Sequence, residues 1–461
     1  MPACVSSQAT ALKGTAKIPG DKSISHRALI FAALASGESR IEGLLEGEDV
    51  LHTADAVRAL GARVARDGQG GWRVTGVAPG RLSQPAAPLQ MGNSGTGARL
   101  LMGLVATQPM RVTFIGDDSL SRRPMGRILE PVSLFGAETE SAEGGRLPVT
   151  ITGTGDPAPQ SYEVPVPSAQ VKSAFLLAAL NTPGISSLIE PLETRDHSER
   201  MLAAFGADIT VEQQQNKDGT CGRRIEITGK TPLTATKIIV PRDFSSAAFP
   251  LVAALLVPGS DIVIPGVGIN PLRTGLLEIL GHMGAVIGIV NQREEAGEPI
   301  GDLHVKSGGL KAVTPDAALA PRLIDEYPLL FVAAASASGT SVFRGLGELR
   351  VKESDRISAM VAGLAANGVA VEELEDGLVI EGCGGILPGG GRPPGGGSVA
   401  AHGDHRVAMA FLVLGAVAQN PVTLDDAAMI ATSFPGFIEL MNGLGCRMVP
   451  QSAAGVSRNE R

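Results

Sequence analysis

The chain has 461 residues, 44% of them hydrophobic and only 19% charged, enough apolar material for more than one buried core. Its formal net charge of −8 disfavours a general nucleic-acid or anionic-membrane surface, because such partners need a basic face, but leaves room for a local cationic pocket. Four scattered cysteines (Cys4, Cys221, Cys383, Cys446) form no CxxC pair, which argues against a disulfide framework or a zinc site and for a reduced, cytoplasmic setting.

Residues 1–11 lack a basic stretch followed by an apolar one, so no secretory signal is read there. From there a unit recurs six times, over 27–43, 98–116, 172–190, 246–266, 324–345 and 406–425. In each, a small-and-apolar helix ends at Gly, Pro, Asn or a polar turn and enters a strand-like run, as in ALASGESRIEG and ALLVPGSDIVIPG. A second helix follows each copy and ends at Gly61, Gly136, Gly206, Gly284, Gly368 or Gly445, positions suited to a left-handed cap. The spacing averages about 77 residues. The fold class is therefore α/β, built of six α+β repeats. The longest apolar runs, such as 249–257, are too short to span a bilayer and read as buried helices. With 3% aromatics, aliphatic side chains must build the cores.

Polar motifs precede each first helix: GDKSISHR, GNSGTGAR, SAQVKS, RDFSSAAF, RLIDEYP and HGDHR. Ser, Asp, Asn and Gly are N-cap residues, and a helix start offers free N–H groups and positive potential to an anion. Taken singly, each has a plainer reading. Asp21 or Ser23 caps a helix, GNSGTG is a glycine-rich turn, Gln170 and Lys172 lie in a solvated turn, and Asp404-His405-Arg406 is a surface cluster. His26, His197, His402 and His405 are each structural on that view. Recurrence at equivalent places favours a shared anion site. Two more charged segments stand apart: SLSRRPMGR, a stiff turn presenting Arg122, Arg123 and Arg127, and GLGELRVKESDR. On a helix Lys352 and Arg356 share a face; a solvated charged surface is the alternative.

PGDKSISHR, GNSGTGAR, RRPMGR, SAQVKSA, IDEYP, RVKESDR and DHRVAM occur in this order, and over residues 12–445 the chain resembles the EPSP synthases. The class II bacterial branch is the nearer likeness. Its RxHxE pattern is Arg195-Asp196-His197-Ser198-Glu199, and its NxTR pattern is Asn270-Pro271-Leu272-Arg273, with Leu for Thr. The resemblance implies a two-domain enolpyruvyl transferase fold of six βαβαββ-type units, three per domain. Residues 1–20 with 241–461 would form one domain and 21–240 the other, with the active site in the cleft between domains that close on their ligands. It implies transfer of the enolpyruvyl group of phosphoenolpyruvate to the 5-hydroxyl of shikimate 3-phosphate.

By the same resemblance, shikimate 3-phosphate is bound by Lys22, Ser23, Arg27, Ser168, Ala169, Gln170, Arg195, Asp325 and Lys352. Phosphoenolpyruvate is bound by Lys22, Gly95, Arg123, Gln170, Arg356 and Arg406. Asp325 is the expected base, and Glu353 with Lys22 the expected proton donor. No metal or organic cofactor, nucleic acid or membrane is expected, and the implied enzyme is a cytoplasmic monomer. Gly95, where insensitive class II members can carry Ala, implies competitive inhibition by glyphosate. The sister UDP-N-acetylglucosamine 1-carboxyvinyltransferase typically uses a Cys acid, and no Cys lies between Cys4 and Cys221. A non-catalytic anion-binding homologue would be expected to have lost the acid–base groups kept here.

Overall fold

The computed structural model describes residues 3–451 apart from 69, 78–80, 216–220 and 386–389. Part of the glycine-rich stretch 384–397, read from sequence as a surface loop, lies outside the described residues. The six small-and-apolar segments are helices: Lys22–Leu34, Gly95–Ala106, Ala169–Leu180, Phe244–Leu256, Tyr327–Ala335 and His405–Val417. They are apolar all round rather than on one stripe, as befits central helices. Every residue of Phe244–Leu256 is buried. Five start on a side-chain cap: Asp21, Ser94, Ser168, Asp243 and Asp404 each accept a hydrogen bond from a backbone N–H of the first turn. The fifth in order has no such cap and carries Pro328 in its first turn, where a missing N–H does no harm.

The six terminal glycines all have positive φ, from 74° at Gly368 to 126° at Gly445, so each takes the left-handed turn expected of it. Every repeat contributes a small sheet, and one pattern recurs. In the first, Lys237–Ile239 runs parallel to Glu38–Glu42, which pairs antiparallel with Trp72–Thr75, itself antiparallel to Arg63–Arg66. The fifth sheet has three strands, and a single bridge from Lys311 to Ser338 stands where the parallel strand would be. In the sixth, the N-terminal strand Cys4–Ser7 lies between Val422–Leu424 and Arg447–Pro450.

The buried hydrophobic residues form two clusters. One runs from Ile24 to Val240; the other joins Cys4, Leu12, Ala16 and Ile18 to members from Phe244 to Met448. Burying each Leu or Phe side chain contributes about 1.5–3 kcal/mol, so burial in each cluster is a large stabilising contribution. The two chain passages between them lie side by side. Asp21 N donates to Pro241 O at 2.8 Å, and Asp243 N donates to Pro19 O at 2.9 Å. Gly20 is needed there, because a Cβ would fall 1.9 Å from Gly43 O. Among the described residues, no helix is long and apolar enough to cross a membrane.

Candidate active site

Between the two cores lies a cavity of about 400 Å³. All six central helices supply lining residues from their first turn or the residues just before it: Lys22, Gly95, Ser168, Asp243, Asp325 and Arg406 represent one helix each. Nine Lys or Arg side chains face five carboxylates across the lining, an excess of four positive charges in a chain of net charge −8. Low-dielectric walls strengthen such a field, so the cavity is built for polyanions.

The wall from the 24–240 core is mostly cationic. Lys22 pairs with Asp49. Arg27 donates to Ser198 Oγ at 2.8 Å, Ser173 Oγ at 2.7 Å and Ser23 O at 3.0 Å, so its hydrogen-bond partners are neutral oxygens. Burial pulls its guanidinium down to about 10, partly offset by Glu199 and Asp21. Arg99 donates to Gln170 Oε1 at 2.6 Å, and Gln170 Nε2 donates to Thr96 Oγ1 at 2.9 Å. Burial, then Arg127 and Arg123, bring the Arg99 guanidinium to about 9. Gly95 faces these arginines: a Cβ there would sit 3.1 Å from Arg123 Nη1 and 3.4 Å from Arg99 Nη1.

The opposite wall mixes both signs. Arg356 is fully buried and bridges three acids: Asp404 at 2.8 Å, Glu353 at 2.5 Å and Asp325 at 3.4 Å. Burial raises the Asp325 carboxyl, but Arg406, Arg195, Lys352 and Arg273 outweigh it and hold the group well below its ordinary value. Glu353 behaves likewise: burial pushes it up, and Arg356, Arg123, His405 and Lys22 bring it well below. Burial lowers the Lys352 ammonium, with Asp325 opposing and Arg356 reinforcing. Ion pairs join the walls: Arg195 to Asp325 at 2.6 Å, Arg127 to Glu348 at 3.1 Å and Arg123 to Glu353 at 3.5 Å.

Every residue expected at the site lines the cavity except Arg356, which stands behind Glu353 and Asp325. Lys352 and Arg356 do not share a helix face. Lys352 ends the short 3-10 helix Gly347–Val351, and Asp355 caps a new helix, Arg356–Ala366, by accepting from Ser358 N at 3.1 Å. Lys172 is not solvated. It is fully buried between Glu190 and Glu199, each at 2.8 Å. Asp404 and His405 are buried too, and not a surface cluster. Sequence reasoning passed over Arg99, Arg273 and Asp49 as lining residues. Arg99 had a signal, standing one turn beyond Gly95, and Arg273 closes the NxTR-like segment. Asp49, on the second helix Glu48–Ala59, had none.

The sequence profile of the family described as EPSP synthase (3-phosphoshikimate 1-carboxyvinyltransferase) matches residues 7–441. A 3-phosphoshikimate 1-carboxyvinyltransferase of Parvibaculum lavamentivorans is 58% identical over 440 residues, 95% of each chain. One from Cereibacter sphaeroides is 56% identical over 434 residues, 94% of this chain and 95% of the relative. The solved EPSP synthase of Acinetobacter baumannii superposes with a TM-score of 0.84 at 42% identity, covering 98% of this chain and 100% of that one. The enolpyruvyl transferase NikO of Streptomyces tendae, at 19% identity and a TM-score of 0.76, shares the fold over 98% of this chain and 99% of its own. The likeness extends over both cores, so the two-domain enolpyruvyl transferase fold expected from sequence is the one observed. On the profile and the relatives together, the chain belongs to the EPSP synthase family.

Proposed function

We infer that the chain transfers the enolpyruvyl group of phosphoenolpyruvate to the 5-hydroxyl of shikimate 3-phosphate, giving 5-enolpyruvylshikimate 3-phosphate and phosphate, with the cavity as its site. The Parvibaculum and Cereibacter relatives carry this activity in their names. The observation that carries the assignment of roles is the Arg356 guanidinium, which touches both Asp325 and Glu353. One group must take the hydroxyl proton while another protonates the methylene carbon, so two acids on one cation, opposite a cationic wall, suit the addition step.

In this reading Asp325 is the base. The cations around it keep it ionised, and its carboxylate faces Arg195 and Arg406. Glu353, with Lys22 near it, is the proton donor. The carboxylate and phosphate of phosphoenolpyruvate compete for Arg123 and Lys22, two of the cations that hold Glu353 ionised, and so raise its hold on a proton. Attack of the hydroxyl oxygen on carbon 2, with protonation of carbon 3, gives a tetrahedral intermediate. Loss of phosphate and of a carbon-3 proton restores the double bond. Shikimate 3-phosphate takes Lys22, Ser23, Arg27, Ser168, Ala169, Gln170, Arg195, Asp325 and Lys352. Phosphoenolpyruvate takes Lys22, Gly95, Arg123, Gln170, Arg356 and Arg406. Arg forks suit both anions.

The domains are taken as 1–20 with 241–461, and 21–240. Glyphosate, longer than phosphoenolpyruvate, fits beside the side-chain-free Gly95 as a competitor. The enzyme is taken as a cytoplasmic monomer. The sister-enzyme reading lacks a Cys acid between Cys4 and Cys221 and is not favoured by the relatives. The test is phosphate release with each substrate alone and with both, in the wild type and in Asp325→Ala. Release should need both substrates and fall about 10²–10⁴-fold in the variant. No release from folded wild type overturns the function, and release unchanged in the variant overturns the base.

A further inference from the structure

One polar cluster crosses between the cores beside the substrate site. Three consecutive residues each reach the opposite core. Arg195 donates to Asp325 at 2.6 Å, Asp196 Oδ1 accepts from Asn270 Nδ2 at 2.6 Å, and His197 Nδ1 lies 2.7 Å from Glu298 Oε1. Glu298 Oε2 also accepts from Asn270 Nδ2 at 3.1 Å, so one carboxylate acts on both Asp196 and His197. His197, Asn270 and Glu298 are each at most 2% exposed. Asp196 sits at the N-cap of helix His197–Ala204, yet its side chain makes no capping bond. That carboxylate is committed instead to Asn270, Arg200 and Arg223. A helix start that forgoes its own cap, worth about 1 kcal/mol, has its side chain fixed by another demand.

His197 lines the cavity beside Arg195, and its buried Nε2 has no hydrogen-bond partner among the described residues. An imidazole whose Nδ1 faces a carboxylate carries its proton there, which leaves Nε2 free to accept from a hydroxyl. Glu298 itself does not line the cavity. It starts the strand Glu298–Lys306 just past the hairpin turn, where Gly297 O accepts from Arg200 at 2.9 Å. On its own side the segment is held at the backbone, by Lys172 Nζ donating to Thr194 O at 3.3 Å. Arg200 and Arg223 hold Asp196 from its own side as well, whereas the Arg195 and His197 side chains are held from the other core. Polar seams of this kind are ones at which domains move.

We propose that Glu298 is a positioning residue for shikimate 3-phosphate. Through His197 and Asn270 it fixes the 195–197 segment so that Arg195 and His197 face this substrate together, with His197 Nε2 accepting from one of its hydroxyls. The proposal rests on the function inferred above. Phosphoenolpyruvate, assigned to other side chains, is not served by this contact.

The experiment compares kcat and the KM for each substrate in wild type, Glu298→Ala, Glu298→Gln and His197→Ala, with thermal unfolding of each. Glu298→Ala should raise KM for shikimate 3-phosphate about tenfold or more, with KM for phosphoenolpyruvate within about twofold. Glu298→Gln keeps an acceptor for His197 and should recover most of the loss. His197→Ala should show the same substrate-selective loss, and the Glu298→Ala/His197→Ala double variant should be no worse than the worse single one. His197→Ala keeps the idea exposed even where Glu298→Ala does not fold. Equal changes in both KM values, no change in either, Gln as poor as Ala, or additive losses would each overturn the positioning role. A wild type that releases no phosphate overturns the inferred function instead.

Discussion

The two walls of the cavity handle charge in opposite ways. The wall from the 24–240 core presents six cations (Lys22, Arg27, Arg99, Arg123, Arg127 and Arg195) and one lining acid, Asp49. Its buried Arg27 and Arg99 are pulled down because burial outweighs the carboxylates near them. The other wall presents three cations (Arg273, Lys352 and Arg406) and four acids (Asp243, Asp325, Glu348 and Glu353). Behind it, Arg356 is raised although burial works against its charge, because Asp404, Glu353 and Asp325 surround it. The first wall carries an excess of positive charge, of which Arg123, Arg127 and Arg195 are met by acids of the second wall. Under the proposed roles both acid–base carboxylates, Asp325 and Glu353, stand on the second wall, and ion pairs across the seam bring the two walls into register.

The contrast is broken most directly by removing one guanidinium from each side. Arg356→Met leaves the fully buried Asp404 without its strongest partner, and severing a buried pair in this way costs about 3–5 kcal/mol. Arg99→Met removes a cation whose charge burial already opposes, so stability should stay within about 1 kcal/mol. Urea unfolding of both variants checks this. Equal losses would mean that the walls are electrostatically alike. In the Arg99 variant the loss should appear in KM, since Arg99 also orients Gln170.

A smaller change sharpens the cationic side. Gly95→Ala places a methyl 3.1 Å from Arg123 Nη1, tighter than ordinary contact. The longer glyphosate should lose about 10–200-fold in affinity, the range set by one methyl group in a fitted pocket, while phosphoenolpyruvate loses less. Competition of glyphosate with phosphoenolpyruvate in wild type and variant measures both. Failure of millimolar glyphosate to compete in the wild type would remove it as a ligand.

What the sequence revealed follows the range of the forces involved. The six helices, the five side-chain caps and the left-handed glycines that end the second helices are local, so recurrence of small-and-apolar runs and of terminal glycines was enough to find them. The place of Cys4–Ser7 inside the last sheet was not legible, since it depends on pairing between opposite ends of the chain. Burial of charge was hidden as well. Lys172 and Arg356 carry the same letters as solvated residues, and only packing shows that Glu190, Glu199 and Asp404 surround them. The Lys352–Arg356 spacing fitted a helix until Asp355 started a new one.

The gentlest test concerns Asp243, an acid on the mixed wall that runs against its neighbours. Burial, then the nearby Asp21, raises its carboxyl from 3.8 to about 6, and Arg273 and Arg406 only partly offset this. A carboxyl raised on folding contributes stability below pH 3.8 that is lost as pH rises through 6. Asp325 and Glu353 have the opposite sign: their contribution is present above the ordinary values of 3.8 and 4.5 and is lost as pH falls. Asp243→Asn keeps an oxygen to accept from Ser245 N, the capping bond seen at 2.8 Å, and removes the ionisation. The value of about 6 already includes the attraction of Arg273 and Arg406, so a shift of this size lets the difference change by at most about 3 kcal/mol across this pH range. The difference between variant and wild type in unfolding free energy should therefore be small at pH 4, grow in the variant's favour up to pH 6, and stay level above it. A difference that does not change with pH would show that Asp243 is already satisfied by its arginines. The passage between the domains would then carry no strain of charge.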